Sequence, residues 1–171
     1  MLSSSPEITT ALARKAGIGV SRVRAHILDW PTIERDRAAL WPCFEIAARA
    51  TYDRYAAEDL EQMTRSGELL VFAIVQEGQP PAVLALVWAQ RIQQGRKTVG
   101  ELCFAGAHPK AGKMVSGGWA DAFRQMAGFL AEAGCDQVTL TGRPGWGRVL
   151  GLTPTAAQFV VTAKRRVGHG I

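Results

Sequence analysis

The roughly 18 consecutive apolar residues that a membrane-spanning helix needs occur nowhere in this chain. The N-terminus, Met1-Leu2-Ser3-Ser4-Ser5, has neither the charged start nor the hydrophobic stretch of a secretory signal, so a cytoplasmic protein is expected. Cysteine is scarce. The three that occur, Cys43, Cys103 and Cys135, are odd in number, far apart and set in apolar segments, which excludes a disulfide framework and predicts reduced core thiols. The three histidines, His26, His108 and His169, are scattered without metal-ligand spacing, so no metal is assigned. Twenty Lys and Arg against fifteen Asp and Glu give a net charge of +5. That balance permits a phosphate-bearing partner but falls short of a polybasic nucleic-acid binder, so nucleic acid is not the expected partner. Tyrosine occurs only at Tyr52 and Tyr55.

What is present is the balance of one ordinary domain, 171 residues of which 47% are hydrophobic and 20% charged. Residues 1–19 read as a helical appendage. Ser5-Pro6-Glu7 supplies a cap, a first-turn proline and an acid, and Gly17 and Gly19 end the pattern after a short helix over residues 6–16. The rest of the chain, 20–171, reads as the main domain with a short basic tail at Arg165 and Arg166. Alternation over residues 20–28 predicts a first strand. Helical spacing of Leu40, Phe44, Ala47 and Ala48 predicts a helix over residues 32–50, restarted or kinked at Pro42, and a second helix follows over residues 57–66. Uninterrupted apolar runs at 69–76 and 82–89, then a strand at 99–104, make a three-strand meander. A Gly-, His- and Lys-containing loop over 104–118 leads to a helix marked by Trp119, Phe123, Met126 and Leu130. Strand 137–141 then closes a crossover unit, which requires parallel pairing. A short helix over 145–150 and a last strand over 158–164 complete the chain.

The same N-terminal residues allow a competing reading. Residues 9–27, with Ala13, Gly17 and Val23 at the customary offsets, partly imitate a helix-turn-helix and would make this a DNA-binding protein. Strand and recognition helix use the same residues, so only one can hold.

Strand, two helices, three meandering strands, helix, strand, short helix, strand is an order that resembles the GNAT acyltransferase fold over roughly residues 20–165. The resemblance implies an α/β (α+β) domain, a mixed central sheet of about six strands flanked by about four helices. Residues 135–150, Cys-Asp-Gln-Val-Thr-Leu-Thr-Gly-Arg-Pro-Gly-Trp-Gly-Arg-Val-Leu, look similar to a segment of small GNAT-like proteins of phages and prophages.

The family's acetyl-CoA lies between two parting parallel strands, its pyrophosphate held by amides at the start of the following helix, where N–H groups and the helix dipole favour an anion. The resemblance places that loop at Lys110, Lys113, Ser116, Gly117 and Gly118. Lysine stands first in the motif, and serine stands where the family has its first glycine. Glu101 lies in the strand that carries the family's general base; a solvent-facing glutamate paired with Arg or Lys is the plain alternative. No tyrosine follows the fifth strand, where the family keeps its acid, and Trp146 stands there instead. Arg143, Trp146 and Arg148 form either a lip for substrate or partner or a closed core edge with solvated arginines.

Two functions follow from the resemblance. One is an acetyl-CoA-dependent N-acyltransferase acting on a small-molecule or protein amine. The other is a GNAT-like protein without catalysis, a structural or ejected component of a phage particle whose partners are other virion proteins.

Overall fold

A computed structural model of the protein describes residues 22–52, 54–78, 81–114 and 117–141, together with the backbone of two strands near the C-terminus. The elements are β1 (Val23–Leu28), α1 (Trp30–Arg35), α2 (Arg37–Arg49), α3 (Ala57–Arg65), β2 (Leu70–Gln76), β3 (Val83–Gln94), β4 (Lys97–Ala107), α4 (Gly118–Glu132), β5 (Gln137–Thr141), β6 (Pro154–Thr155) and β7 (Gln158–Val161). They form one seven-stranded sheet in the order β1-β2-β3-β4-β5-β7-β6. Every neighbouring pair is antiparallel except β4 with β5, which α4 joins as the expected parallel crossover.

The apolar runs of β2 and β3 are continuous because both faces of the sheet are covered. Phe72, Ile74, Val87 and Leu102 pack with Met126 and Leu130 of α4 on one face. On the other face Val71, Leu86 and Trp88 pack with Ile33, Phe44 and Leu60 of α1, α2 and α3. Trp88 is fully buried, and its indole N–H donates to Thr64 Oγ1 at 3.1 Å, so its one polar atom costs nothing in desolvation. The free edge of β1 is met by a side chain: Gln125 Oε1 accepts from the Ala25 N–H at 3.0 Å, and Gln125 Nε2 donates to the Val23 carbonyl at 2.9 Å.

Several expectations are corrected here. Residues 23–28 are strand, hydrogen-bonded in register to β2, so the recognition helix of the DNA-binding reading does not exist over those residues. The helical segment breaks at Asp36, not at Pro42; Asp36 caps α1, and Pro42 lies inside α2. The expected mixed sheet of about six strands is borne out, with the two-residue β6 as a seventh. The predicted helices at 6–16 and 145–150 fall outside the described residues. Among the described residues, no helix is long and apolar enough to cross a membrane.

Gly106 fixes the distance between the α2 layer and the sheet. A Cβ built there would stand 1.9 Å from the Cys43 carbonyl oxygen and 3.0 Å from the Ala47 nitrogen, both backbone atoms that cannot rotate away. Gly106→Ala should therefore cost about 3 kcal/mol or more, as an overpacking that neither backbone relieves. Gly128, exposed in α4 with open space where a Cβ would go, should behave in the opposite sense. Gly128→Ala should add about 0.5–1 kcal/mol by removing glycine's entropy cost in a helix. Urea unfolding measures both, and a Gly106→Ala midpoint equal to that of the parent would contradict the packing described.

Candidate active site

The site begins with a defect in a ladder. Opposite β3, Trp88 faces Phe104 and Ala89 faces Leu102, so Cys103 is the extra residue of a β-bulge. A bulge bends its strand and increases its twist. Among the described residues the parallel ladder to β5 runs from Val99 with Gln137 to Leu102 with Leu140, and the ladder to β3 continues to Ala107. Gly106 lets the bent end of β4 lie against the backbone of α2.

The two faces of β4 differ here. Ala105 and Ala107 are opposite Val87 and Ala85, hence on the face that carries α4, and both are small and exposed. Beyond them the chain turns at His108, whose N–H donates to the Leu84 carbonyl at 2.7 Å and whose Nδ1 accepts from the Lys110 N–H at 3.1 Å. Lys110 and Lys113 are exposed, and α4 follows its N-cap Gly117, which is in the left-handed region at φ 75°. A helix start preceded by a loop with two lysines is an electropositive end for a phosphate group.

The two glycines of this loop do different work. Nothing lies within 4 Å of where a Gly117 Cβ would stand, so that position is open as well as left-handed. Gly118 is buried, and a Cβ there would meet the Met114 side chain at 2.8 Å and Val23 Cγ2 at 2.9 Å. Its missing side chain therefore serves packing of α4 against β1, not close approach of a ligand.

Glu101 lies on the opposite face, in register with Gln90 on β3 and Thr139 on β5. It is partly exposed, and its charge adds to the burial that pushes the Cys103 thiol up. Glu101 thus lies within β4 where it pairs with β5, and Lys110, Lys113 and the Gly117 helix start lie along the chain that leaves the end of β4. Ser116, Arg143, Trp146 and Arg148 lie outside the described residues.

One neighbour has no signal in the sequence. Tyr55, in the connector between α2 and α3, packs edge-on against Phe104, with ring centroids 5.5 Å apart and planes at 77°. Helical spacing places Tyr55 early in the chain but says nothing of the connector folding back onto β4.

Solved structures of similar shape are GNAT acetyltransferases. A GNAT family acetyltransferase from Brucella melitensis, in complex with acetyl-CoA, is 20% identical over 82% of this chain and 88% of its own, with a TM-score of 0.55. A GNAT family N-acetyltransferase from Escherichia coli, in complex with CoA, is 15% identical over 85% of this chain and 84% of its own, with a TM-score of 0.55. A probable acetyltransferase from Staphylococcus epidermidis is 7% identical over 83% of this chain and 99% of its own, with a TM-score of 0.59. No protein-family model and no curated protein sequence matches the chain. At these identities the likeness is one of fold, and the chain has a GNAT-like fold.

The thiols around the site are protonated and inert. Burial pushes Cys43 up to about 11 and, with the Glu101 charge, Cys103 up to about 12; Cys135 is raised by burial as well. Raised from 9.0 to about 12, Cys103 holds about a thousandfold less thiolate than an ordinary thiol at the same pH. Iodoacetamide at pH 8 should leave Cys43 and Cys103 unlabelled in the folded protein and label them once urea unfolds it. Because the folded state holds these protons more tightly, the stability they lend is full below pH 9.0 and drains as pH rises toward 11 and 12. Rapid labelling of Cys103 in the folded state would contradict its environment.

Proposed function

We propose that the protein is an acetyl-CoA-dependent N-acyltransferase. The observation that supports this reading is the crossover in which α4 joins β4 to its parallel neighbour β5, with the chain running on from Ala107 through Lys110 and Lys113 to the helix start at Gly117. The residues fit the cofactor. Ala105 and Ala107 are small and exposed along β4, and Lys110, Lys113 and Gly117 would hold its pyrophosphate. When bound, acetyl-CoA supplies an acetyl group activated as a thioester.

Glu101 would accept the proton of the acceptor amine as its nitrogen bonds to the acetyl carbon. The thiolate released as the carbon–sulfur bond breaks would take its proton from water, and the acceptor amine would approach on the Glu101 face. Cys103, with its thiol near 12, does not serve as an acyl carrier, so transfer is direct.

The alternative of a GNAT-like virion component without catalysis has two sequence observations in its favour, Ser116 in place of the family's first glycine and the lack of a tyrosine after the fifth strand. It predicts no affinity for acetyl-CoA. Titration calorimetry separates the two readings. The acyltransferase reading expects micromolar acetyl-CoA binding, weakened about tenfold by Lys113→Glu, since each phosphate–lysine contact is worth about 1–2 kcal/mol. Glu101→Gln should leave that binding intact and lower kcat by about 10²–10⁴, the usual contribution of a general base. Unchanged turnover in Glu101→Gln would remove it from the mechanism, and the lack of any binding would favour the virion reading.

A further inference from the structure

The connector between α2 and α3 is held in place more firmly than an exposed loop requires. The Thr51 hydroxyl donates to the Ala48 carbonyl at 2.6 Å and accepts from the Tyr55 N–H at 3.2 Å, a link that ties the connector to the end of α2. Tyr52 is in the left-handed region at φ 55°, strained for a residue with a side chain, and 86% exposed. The result of this fixing is the position of Tyr55, whose ring is set edge-on against Phe104 and is still 38% exposed. Phe104 is opposite Trp88, on the same face of β4 as Glu101 and three residues after it.

We propose that Tyr55 and Phe104 form the acceptor-side wall of the site and select primary amines that carry an aromatic ring. The inference rests on the acyltransferase reading, and it names the substrate class for that site. The corner made by the partly exposed Tyr55 ring set edge-on to Phe104 favours a flat apolar group, which can stack or meet a ring edge there. Glu101 is three residues back along the strand, about 10 Å at strand spacing. An aryl ring on a two- or three-carbon chain spans that distance with its nitrogen at the carboxylate and its ring in the corner. A polycationic amine of the same reach gains nothing from the corner and loses hydration against it.

The test compares acetylation of 2-phenylethylamine and of spermidine by the full chain, with acetyl-CoA binding measured separately by calorimetry. The parent should prefer 2-phenylethylamine by about tenfold in kcat/KM, the worth of one aromatic contact with its burial. Tyr55→Leu should abolish the preference by raising KM for 2-phenylethylamine, with kcat and acetyl-CoA affinity unchanged, and Tyr55→Phe should restore it. A parent enzyme that acetylates both amines equally, or a Tyr55→Leu variant that keeps the preference, overturns this inference and leaves the acyltransferase reading standing. A parent that binds no acetyl-CoA overturns the acyltransferase reading itself, and the wall loses its function with it.

Discussion

A strand in the middle of a sheet is held from both sides by its backbone N–H and C=O groups. In this protein the rest of the fold depends on how that is done for β4. Up to Leu102 it is bonded to both β3 and β5, and past the bulge at Cys103 its ladder to β3 runs on to Ala107. What keeps that end in place is the near contact of Gly106 with the Cys43 carbonyl, which seats α2 directly on the strand.

Most of the fold was legible because its elements are simple in pattern. The apolar runs of β2 and β3, the helical face of α4 and the crossover that makes β5 parallel to β4 are each visible as periodicity and order. The failures are instructive in the same terms. Residues 105–107, Ala-Gly-Ala, look like loop, and they are strand only because a helix backbone needs the space that a larger residue would fill. Pro42 looks like a restart or a kink, yet the helix does not restart there; the break falls at Asp36, a capping residue type that stands among helix-forming neighbours.

The site was legible in part. Glu101 and the two lysines stand where strand order and a glycine-containing loop put them. Gly117 and Gly118 look alike in the sequence but differ in role, because only the three-dimensional position of Met114 and Val23 shows that one of them faces inward. The Tyr55–Phe104 contact joins residues 49 positions apart, and no local pattern predicts it.

The most direct test of the account is a titration of the isotope-labelled protein with acetyl-CoA, followed by the backbone amide resonances. The account predicts the largest shifts at residues 103–107 of β4 and at Gly117 and Gly118, with β1 and α1 unmoved. Amide contacts showing β4 bonded to a neighbouring strand on both sides through residue 107, with no shifts on titration, would contradict it.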